Sequence, residues 1–464
     1  MLRSALLVLS GNAAASLLLL ARNLIVARLI PVADYGVAST FAVAMAVVEM
    51  MSALGLQQQI VQAKNGEDPR FQAALQGFQL LRGVVSGIVL FAIAGPMANF
   101  LDIPEAAWAY QLLALVPVLN ALVHFDIYRL NRQMRFLPLM LTGGVPALLS
   151  LLAVWPLAHW FGDWQVMLYA ILLQAAIGAI TSHLVAERRW QLVFDRAIMA
   201  ESMRFGWPLL VNGILLFAVF NGEKLIVGRE LGMEALAIFA MGVTLTLTPT
   251  LVMAKTVQNL MLPGLSAAAD DPIAFRRQAA LTFESILFLG LFFVIVVLLL
   301  GAMVTEILLG SRYATLFPLI FLFALHQTLR VFKAAPALIA LARGTTTNAM
   351  IANLVRIAAL PFCWYFATTS GDILAILWII VAAELASYAV ALALLPGAIL
   401  RASVLPHIVV GILLILATAQ AKAQQETAAT WPVWMAGVVS LGICLAVMPQ
   451  FRAYFLQRIR QRSN

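Results

Sequence analysis

Charged side chains interrupt several apolar stretches of the sequence that are long enough to cross a membrane, and these charges are the first candidates for chemistry. A charge at the centre of a bilayer costs about 2.5–3.5 kcal/mol even on insertion-based scales, so a large set of charges cannot face lipid. We therefore expect these side chains to face a hydrated interior. The basic members are Arg22, Arg82, Lys224, Lys255, Arg330, Lys333 and Arg356, and the acidic members are Glu49, Asp126, Glu223, Glu284 and Glu384.

Arg330 and Lys333 form the most informative pair in this set. They are three residues apart, so on a helix they share a face, and because both are positive they cannot neutralise each other. The spacing predicts that the pair binds an anion. For the other charges a second interpretation stays open, in which they pair between helices or reach the membrane interface. That interpretation applies to Arg22, Glu49, Glu223, Lys224, Glu284 and Glu384.

Two carboxylates, Glu49 and Glu384, fall near the middle of predicted spans and are candidates for binding a coupling proton or sodium ion. Structural pairing with a basic group is the equal alternative for both. His124 and Asp126 lie beside Arg129 at a predicted helix end, where a local salt bridge is a better explanation than a proton relay.

The sequence offers little for catalysis or cofactor binding. It contains no P-loop, and its five histidines have no metal-ligand spacing. Cys363 and Cys444 fall in separate apolar stretches, so we interpret them as packing residues. We therefore expect no cofactor, no metal site and no enzymatic activity.

Composition indicates which elements must position these charges. The chain has 464 residues, of which 63% are hydrophobic and 11% charged, with a mean hydropathy of +0.96. An ordinary soluble domain is about half apolar and about a quarter charged, so a soluble enzyme is excluded. The fold class predicted is an all-α integral membrane protein with about fourteen spans. We place these at 5–28, 36–61, 74–97, 107–128, 137–159, 165–186, 205–228, 235–261, 280–300, 314–341, 349–367, 373–395, 404–420 and 431–449.

The basic residues of the loops predict the orientation of these spans. On one face of the predicted topology the loops carry only Arg28, Arg229, Arg312 and Lys422, whereas most Lys and Arg residues fall on the other face. Because Lys and Arg are retained on the cytoplasmic side, both termini are expected to be cytoplasmic. The net charge of +8 is therefore explained by topology and by a basic tail that binds lipid headgroups, and no nucleic-acid partner is expected.

A short internal repeat predicts how the spans are grouped. Leu24-Ile25-Val26-Ala27-Arg28 recurs as Leu225-Ile226-Val227-Gly228-Arg229, 201 residues later, and the same offset takes Gln57 to Gln258. An even number of spans intervenes, so the copies would run in the same direction, as in transporters with parallel repeats. We expect a six-helix bundle in 1–200, a second in 201–400, and two extra helices with a basic cytoplasmic tail in 401–464.

The region after the first span carries a family resemblance. The string Arg28-Leu29-Ile30-Pro31-Val32-Ala33-Asp34-Tyr35-Gly36 is followed by Phe41 and by Leu54-Gly55-Leu56-Gln57. This pattern resembles the opening of polysaccharide-type flippases of the multidrug, oligosaccharidyl-lipid and polysaccharide exporter superfamily. Usual members have Gly before the proline, where this chain has Ile30.

The resemblance implies two helical bundles around a cavity, and the outward movement of a polyprenyl-diphosphate-linked oligosaccharide by alternating access. The diphosphate would then be the anion that the seven basic intramembrane residues bind. It also implies the bacterial inner membrane, assembly of O-antigen, exopolysaccharide or capsule, and membrane lipids and polysaccharide polymerase machinery as partners.

Three alternatives stay open at this point. A peptidoglycan-precursor flippase would suit the same helix count and the same basic cavity. A multidrug antiporter of the same superfamily should instead favour an acidic or aromatic cavity for cationic drugs. A membrane-embedded sugar polymerase or ligase is disfavoured, because the longest predicted connections, about 187–204 and 262–279, are short and carry no catalytic motif.

Overall fold

The computed structural model describes residues 2–51, 54–426 and 431–455, and in these ranges the chain forms α-helices, turns and no strand. The helices of the first part are α1 (Leu2–Leu29), α2 (Val32–Met51), α3 (Leu56–Gln62), α4 (Pro69–Phe100), α5 (Ala107–Leu113), α6 (Leu115–Ala121), α7 (Asp126–Arg132), α8 (Leu137–Trp160), α9 (Gln165–Val185) and α10 (Arg196–Glu230). The later helices are α11 (Gly232–Ala267), α12 (Pro272–Leu309), α13 (Ile320–Phe332), α14 (Ala334–Ala342), α15 (Thr347–Ile357), α16 (Leu360–Ser370), α17 (Ile373–Ala393), α18 (Gly397–Leu400), α19 (Val404–Glu426) and α20 (Trp431–Ala446). Three 3-10 turns lie at Pro104–Ala106, Ser311–Leu316 and Arg401–Ser403.

Many of these helices are long and apolar enough to cross a bilayer. In the described part of the chain there are 10 such helices, or up to 12 if each of two bent helix pairs is one span. Neither α1 nor the segment that divides into α13 and α14 is among them. The prediction of an all-helical, multi-pass membrane protein is therefore confirmed, whereas the number fourteen stays a prediction. Part of the predicted basic tail, residues 456–464, lies outside the described residues.

The chain divides into two compact units, Met1–Ala237 and Ile238–Asn464. In the first unit, α2 packs against α10, α4 against α5 and α6, and α8 against both α1 and α9. In the second unit, α12 packs against α13 and α19, and α17 packs against α13, α15 and α16. The predicted boundaries of the bundles and the sequence repeat itself stay predictions.

Aromatic side chains fill the interior of each unit. In the first unit Phe41 meets Tyr110 edge to face, with ring centroids 5.5 Å apart, and the Tyr110 hydroxyl is hydrogen-bonded to Thr40. In the second unit Phe239 and Phe323 pack in the same way at 5.4 Å. Edge-to-face packing is the favoured arrangement of aromatic rings, and burying the tyrosine hydroxyl requires the partner it has.

A glycine in the first turns of α2 lies unusually close to the backbone of another helix. Gly36, the last residue of the motif that carries the family resemblance, lies on α2 beside the beginning of α11. A Cβ atom at Gly36 would lie 1.9 Å from the carbonyl oxygen of Met233. Only a glycine permits this approach, because backbone atoms cannot move aside as a flexible side chain can.

Several predicted spans are interrupted. One continuous helix over 36–61 was expected, but Gly55 has a left-handed φ of 65° and α3 begins directly after it, so this prediction is wrong. The predicted span 314–341 is likewise divided, between Phe332 and Ala334. A left-handed residue such as Gly55 cannot continue a right-handed helix, whereas Lys333, between α13 and α14, keeps right-handed helical angles.

The predicted span 107–128 is broken by a bend of 47° between the segments Pro104–Ala121 and Asp126–Arg132. The side chain of Gln76 satisfies the backbone groups that this break releases. Its amide nitrogen donates to the carbonyl oxygens of Ala121 at 3.1 Å and Val123 at 3.2 Å, and its oxygen accepts from the Phe125 N–H at 2.9 Å. Irregular backbone inside a membrane protein requires such partners.

Candidate functional site

A polar cavity of about 1000 Å³ lies within the first unit, surrounded by α1 to α4 and α6 to α10. Its charged lining residues are Arg22, Arg82 and Glu49, so basic groups outnumber acidic ones. Three residues that the sequence analysis selected are therefore brought together around one space. The excess of positive charge makes the cavity suited to an anion.

Arg22 is the most unusual of these residues. Its side chain is buried, with 7% of the residue exposed, and its guanidinium donates to Ser150 Oγ at 3.0 Å and to Gln174 Oε1 at 2.5 Å. A weaker contact of 3.5 Å reaches Asn23 Oδ1. All of these acceptors are neutral, and no carboxylate of the described residues pairs with Arg22. A buried guanidinium that keeps its whole charge provides a strong attraction for a negative ligand.

Arg82 and Glu49 are placed on the cavity wall by α4 and α2. Arg82 is partly buried and Glu49 is exposed within the cavity, and the two opposite charges attract each other. This arrangement matches the pairing alternative for Glu49 without neutralising the cavity, because Arg22 remains uncompensated. The possible role of Glu49 in binding a coupling ion stays a prediction.

Neutral amides make up much of the remaining polar lining, and the sequence analysis missed them. The amide side chains on the cavity wall are Gln57, Gln58, Gln79, Asn120, Gln174 and Asn212. The sequence did contain a signal for this polar lining. Gln72, Gln76 and Gln79 recur at helical spacing on one face of α4, and Arg82 follows on the same face. An amide both donates and accepts hydrogen bonds, as a sugar hydroxyl does.

A second cluster of charges lies in the second unit. The two carboxylate oxygens of Glu384, which is completely buried on α17, contact Lys333 Nζ and Arg356 Nε, each at 3.0 Å. Lys333 also donates to Ser387 Oγ at 3.1 Å and Asn353 Oδ1 at 3.3 Å. Two cations share one carboxylate, so the cluster retains a positive charge.

This cluster changes the interpretation of the Arg330 and Lys333 pair. α13 ends at Phe332, and Lys333 directly after it keeps right-handed helical angles and donates its N–H to the Leu329 carbonyl oxygen at 3.1 Å. Within the protein itself, the anion that Lys333 contacts is Glu384. Arg330 is partly buried one turn earlier on α13. Binding of substrate by Arg330 and Lys333 stays a prediction.

The other selected charges have different surroundings. Lys255 is exposed and donates to Gln258 Oε1 at 3.2 Å, and neither Lys255 nor Lys224 lines the large cavity.

The expected salt bridge between Asp126 and Arg129 is present, with 2.6 Å between Arg129 Nε and Asp126 Oδ1. Among the described residues, no group of three or more His, Cys, Asp or Glu side chains is arranged to hold a metal ion.

Comparison with known proteins gives three consistent results. A family model described as "Polysaccharide biosynthesis protein" matches residues 25–318. The amylovoran biosynthesis protein AmsL of Erwinia amylovora is 21% identical over 301 residues, which are 63% of this chain and 77% of AmsL. The succinoglycan biosynthesis transport protein ExoT of Rhizobium meliloti is 23% identical over 318 residues, which are 65% of this chain and 61% of ExoT.

Solved structures with the same fold include two kinds of transporter. The lipid II flippase MurJ, in an inward closed conformation, aligns with a TM-score of 0.71 and 12% identity, over 98% of this chain and 99% of its own. An inward-facing multidrug resistance MATE family transporter aligns with a TM-score of 0.62 and 15% identity, over 89% of this chain and 96% of its own. At these identities the similarity concerns the fold alone.

Proposed function

The chain belongs to the polysaccharide biosynthesis protein family, and from this premise we propose that it is a flippase for a lipid-linked oligosaccharide. The substrate would be a polyprenyl-diphosphate-linked oligosaccharide, moved outward across the bacterial inner membrane by alternating access. Its product would feed the assembly of O-antigen, exopolysaccharide or capsule. The relatives AmsL and ExoT, by their names, act in the biosynthesis or transport of such polymers.

One observation carries the proposal: a buried guanidinium with neutral partners lines a large polar cavity. Holding Arg22 charged and unpaired in this position is costly, and a diphosphate that enters the cavity would offset that cost. Guanidinium groups bind phosphate oxygens through two parallel hydrogen bonds. Arg82, on the same cavity wall, supplies a second positive charge for the second phosphate.

The amide lining supports a sugar-bearing substrate. Gln79, Asn120, Gln174 and Asn212 present donors and acceptors to the same space as the two arginines. A cavity for cationic drugs would instead need excess negative charge, so the charge balance disfavours a multidrug antiporter. A peptidoglycan precursor also carries a diphosphate and sugars, and it is the second candidate substrate.

The membrane potential favours the proposed direction. Moving a negative charge outward from a compartment that is negative inside releases about 2.3 kcal/mol per charge per 100 mV. Of the two carboxylates considered for ion coupling, Glu49 is the better placed, because it is exposed in the cavity whereas Glu384 is held by two cations. Membrane lipids and polysaccharide polymerase machinery stay as proposed partners, with no catalytic step in this chain.

The test is a flipping assay on purified full-length protein in proteoliposomes. A diphosphate-linked oligosaccharide and lipid II are supplied in separate reactions, and their exposure on the far side is followed with a lectin. We expect Arg22→Met to reduce the flipping rate at least about tenfold, because a charge-assisted contact to phosphate is lost. The same variant should unfold at an unchanged or higher temperature, because an uncompensated buried charge is removed.

Arg196→Gln is the matched control, since Arg196 is exposed and lies outside the cavity lining. Its flipping rate should equal that of the wild type. If Arg22→Met flips the oligosaccharide at the wild-type rate, the cavity does not act through this charge. Movement of lipid II alone would assign the second candidate substrate instead.

A further inference from the structure

The guanidinium of Arg22 is held by side chains from two neighbouring helices of the first unit. Its Nη1 donates to Ser150 Oγ on α8 at 3.0 Å and to Gln174 Oε1 on α9 at 2.5 Å. Its Nη2 makes only the weaker contact with Asn23, at 3.5 Å, so donor capacity remains on that side of the group. Because α8 packs against both α1 and α9, the position of the guanidinium is set by three helices together.

Ser150 contributes position but no charge. It is completely buried, and its hydroxyl donates to the carbonyl oxygen of Ala170 on α9 at 2.9 Å. A hydroxyl has a single hydrogen, so toward Arg22 the serine oxygen can act only as an acceptor. The serine therefore ties the Arg22 guanidinium to α9 one turn before Gln174.

Gln174 is the acceptor that also belongs to the cavity wall. It lines the large cavity together with Arg22, whereas Ser150 does not. A guanidinium has donors and no acceptor, so the amide must turn its oxygen, and not its nitrogen, toward Arg22. An amide has no net charge, so this contact orients Arg22 without neutralising it.

The other buried arginines of the described chain have a different kind of partner. Arg129 is 6% exposed and contacts the carboxylate of Asp126, and Arg356 is 3% exposed and contacts that of Glu384. Pairing with an opposite charge is the usual condition for burying an arginine. A glutamate at position 174 would have the same shape as the glutamine and would add this attraction. A purely structural tie between α1 and α9 would therefore favour a carboxylate, and the amide at this position needs another explanation.

We propose that Gln174 is a positioning residue for the anion site, whose neutral oxygen fixes the Arg22 guanidinium in the cavity wall and leaves its positive charge for the anionic group of the substrate. This inference rests on the proposed function, which makes that group a diphosphate. The charged residues of the cavity lining are Arg22, Arg82 and Glu49, so a carboxylate at position 174 would cancel the positive excess. The amide at position 174 then determines that the cavity selects an anion.

The experiment uses purified full-length protein in detergent, with pyrophosphate as the probe. Binding is measured by isothermal titration calorimetry, and thermal unfolding is measured without ligand. The variants are Gln174→Glu, Gln174→Met, and Gln174→Glu combined with Arg22→Met. Gln191→Glu is the matched control, because it makes the same chemical change at an exposed position outside the large cavity.

We expect Gln174→Glu to bind pyrophosphate at least about tenfold more weakly than the wild type, because the new carboxylate occupies Arg22. Without ligand, the same variant should unfold at an unchanged or higher temperature. In the Arg22→Met protein the new carboxylate has no cation to pair with, so Gln174→Glu should there lower the unfolding temperature. A merely structural role would not reverse the sign in this way. Gln174→Met should also weaken binding, because the guanidinium loses its orientation, and Gln191→Glu should behave as the wild type.

Three results would overturn the proposal. They are absence of pyrophosphate binding by the wild type, equal binding by the wild type and both Gln174 variants, and the same change of unfolding temperature with and without Arg22. None of these measurements requires transport. If binding depends on Gln174 as expected but the wild type flips no diphosphate-linked oligosaccharide, the proposed function fails and the positioning role of Gln174 stands.

Discussion

The buried charges of Lys333, Arg356 and Glu384 do not cancel, because two cations share one carboxylate. Removing the carboxylate would take a counter-charge away from both cations, whereas removing Lys333 would leave Glu384 paired with Arg356. The loss of protein stability should therefore depend strongly on which member of the cluster is substituted. Unequal losses would show that the three charges act as one network.

Glu384→Gln should lower the free energy of unfolding by about 3–5 kcal/mol, because Lys333 and Arg356 both lose the carboxylate that they contact. Lys333→Met should cost much less, since Arg356 and Glu384 then form a neutral pair. Chemical or thermal unfolding in detergent measures both. Glu306→Gln is the matched control, because Glu306 is exposed on α12 and its variant should behave as the wild type. Equal losses for Glu384→Gln and Lys333→Met would contradict the argument.

At the scale of single residues, the sequence allowed charges to be selected but not their partners. Arg22, Arg82 and Glu49 were selected because charge in an apolar span is expensive wherever it occurs, and all three line one cavity. The amides Asn120 and Gln174 carry no charge, so the sequence does not distinguish them from other polar residues of the spans. The contact of Glu384 with Lys333 joins residues 51 positions apart on α17 and at the end of α13, and helical periodicity does not reveal which helices are neighbours.

At the scale of helices, the close approach of α2 to the beginning of α11 is the most sensitive contact that the structure reveals. Gly36→Ala should destabilise the protein by about 1–3 kcal/mol or more, because its Cβ would meet the Met233 backbone. Expression level and thermal unfolding of the purified variant measure the effect. Gly95→Ala on α4 is the control, since a Cβ there meets nothing within 4 Å. A Gly36→Ala protein as stable as Gly95→Ala would show that the two helices are further apart.

Gln76 makes three hydrogen bonds to the break between α6 and α7. Gln76→Leu should lower the free energy of unfolding by about 3 kcal/mol or more, because the carbonyls of Ala121 and Val123 and the N–H of Phe125 lose their partner. Hydrogen exchange of the segment 121–126 should accelerate as well. Gln111→Leu, at an exposed position, makes the same chemical change without these contacts. Unaltered exchange in Gln76→Leu would contradict the role of the amide.

Helix breaks are the part of the fold that the sequence predicted least well. The spans around α8, α9 and α17 were predicted within a few residues, because each is one apolar run between polar ends. The predicted helices over 36–61 and 107–128 are interrupted, the first at the left-handed Gly55 and the second where the distant Gln76 bonds to the released backbone groups. Hydropathy records how apolar a segment is, and it does not record which backbone groups find partners elsewhere.

For the whole molecule, the loop charges predict a cytoplasmic location for the connection that contains Arg196 and an outer location for Glu105. Glu105→Cys in intact cells should react with a membrane-impermeant maleimide, whereas Arg196→Cys should react only after the cells are permeabilised. The native cysteines, Cys363 and Cys444, are buried, so they contribute little background. The opposite labelling pattern would invert the predicted orientation and the proposed direction of transport.

The unpaired charge of Arg22 affects how fast the protein is degraded in the cell. A molecule whose cavity holds no anion carries the cost of that charge, and any ligand that binds the folded form raises its stability. Quality-control proteases sample the unfolded fraction, which grows when such a ligand is scarce. The protein should therefore be degraded faster in a strain that makes no lipid-linked glycan. The supply of substrate would then set the amount of this protein in the membrane.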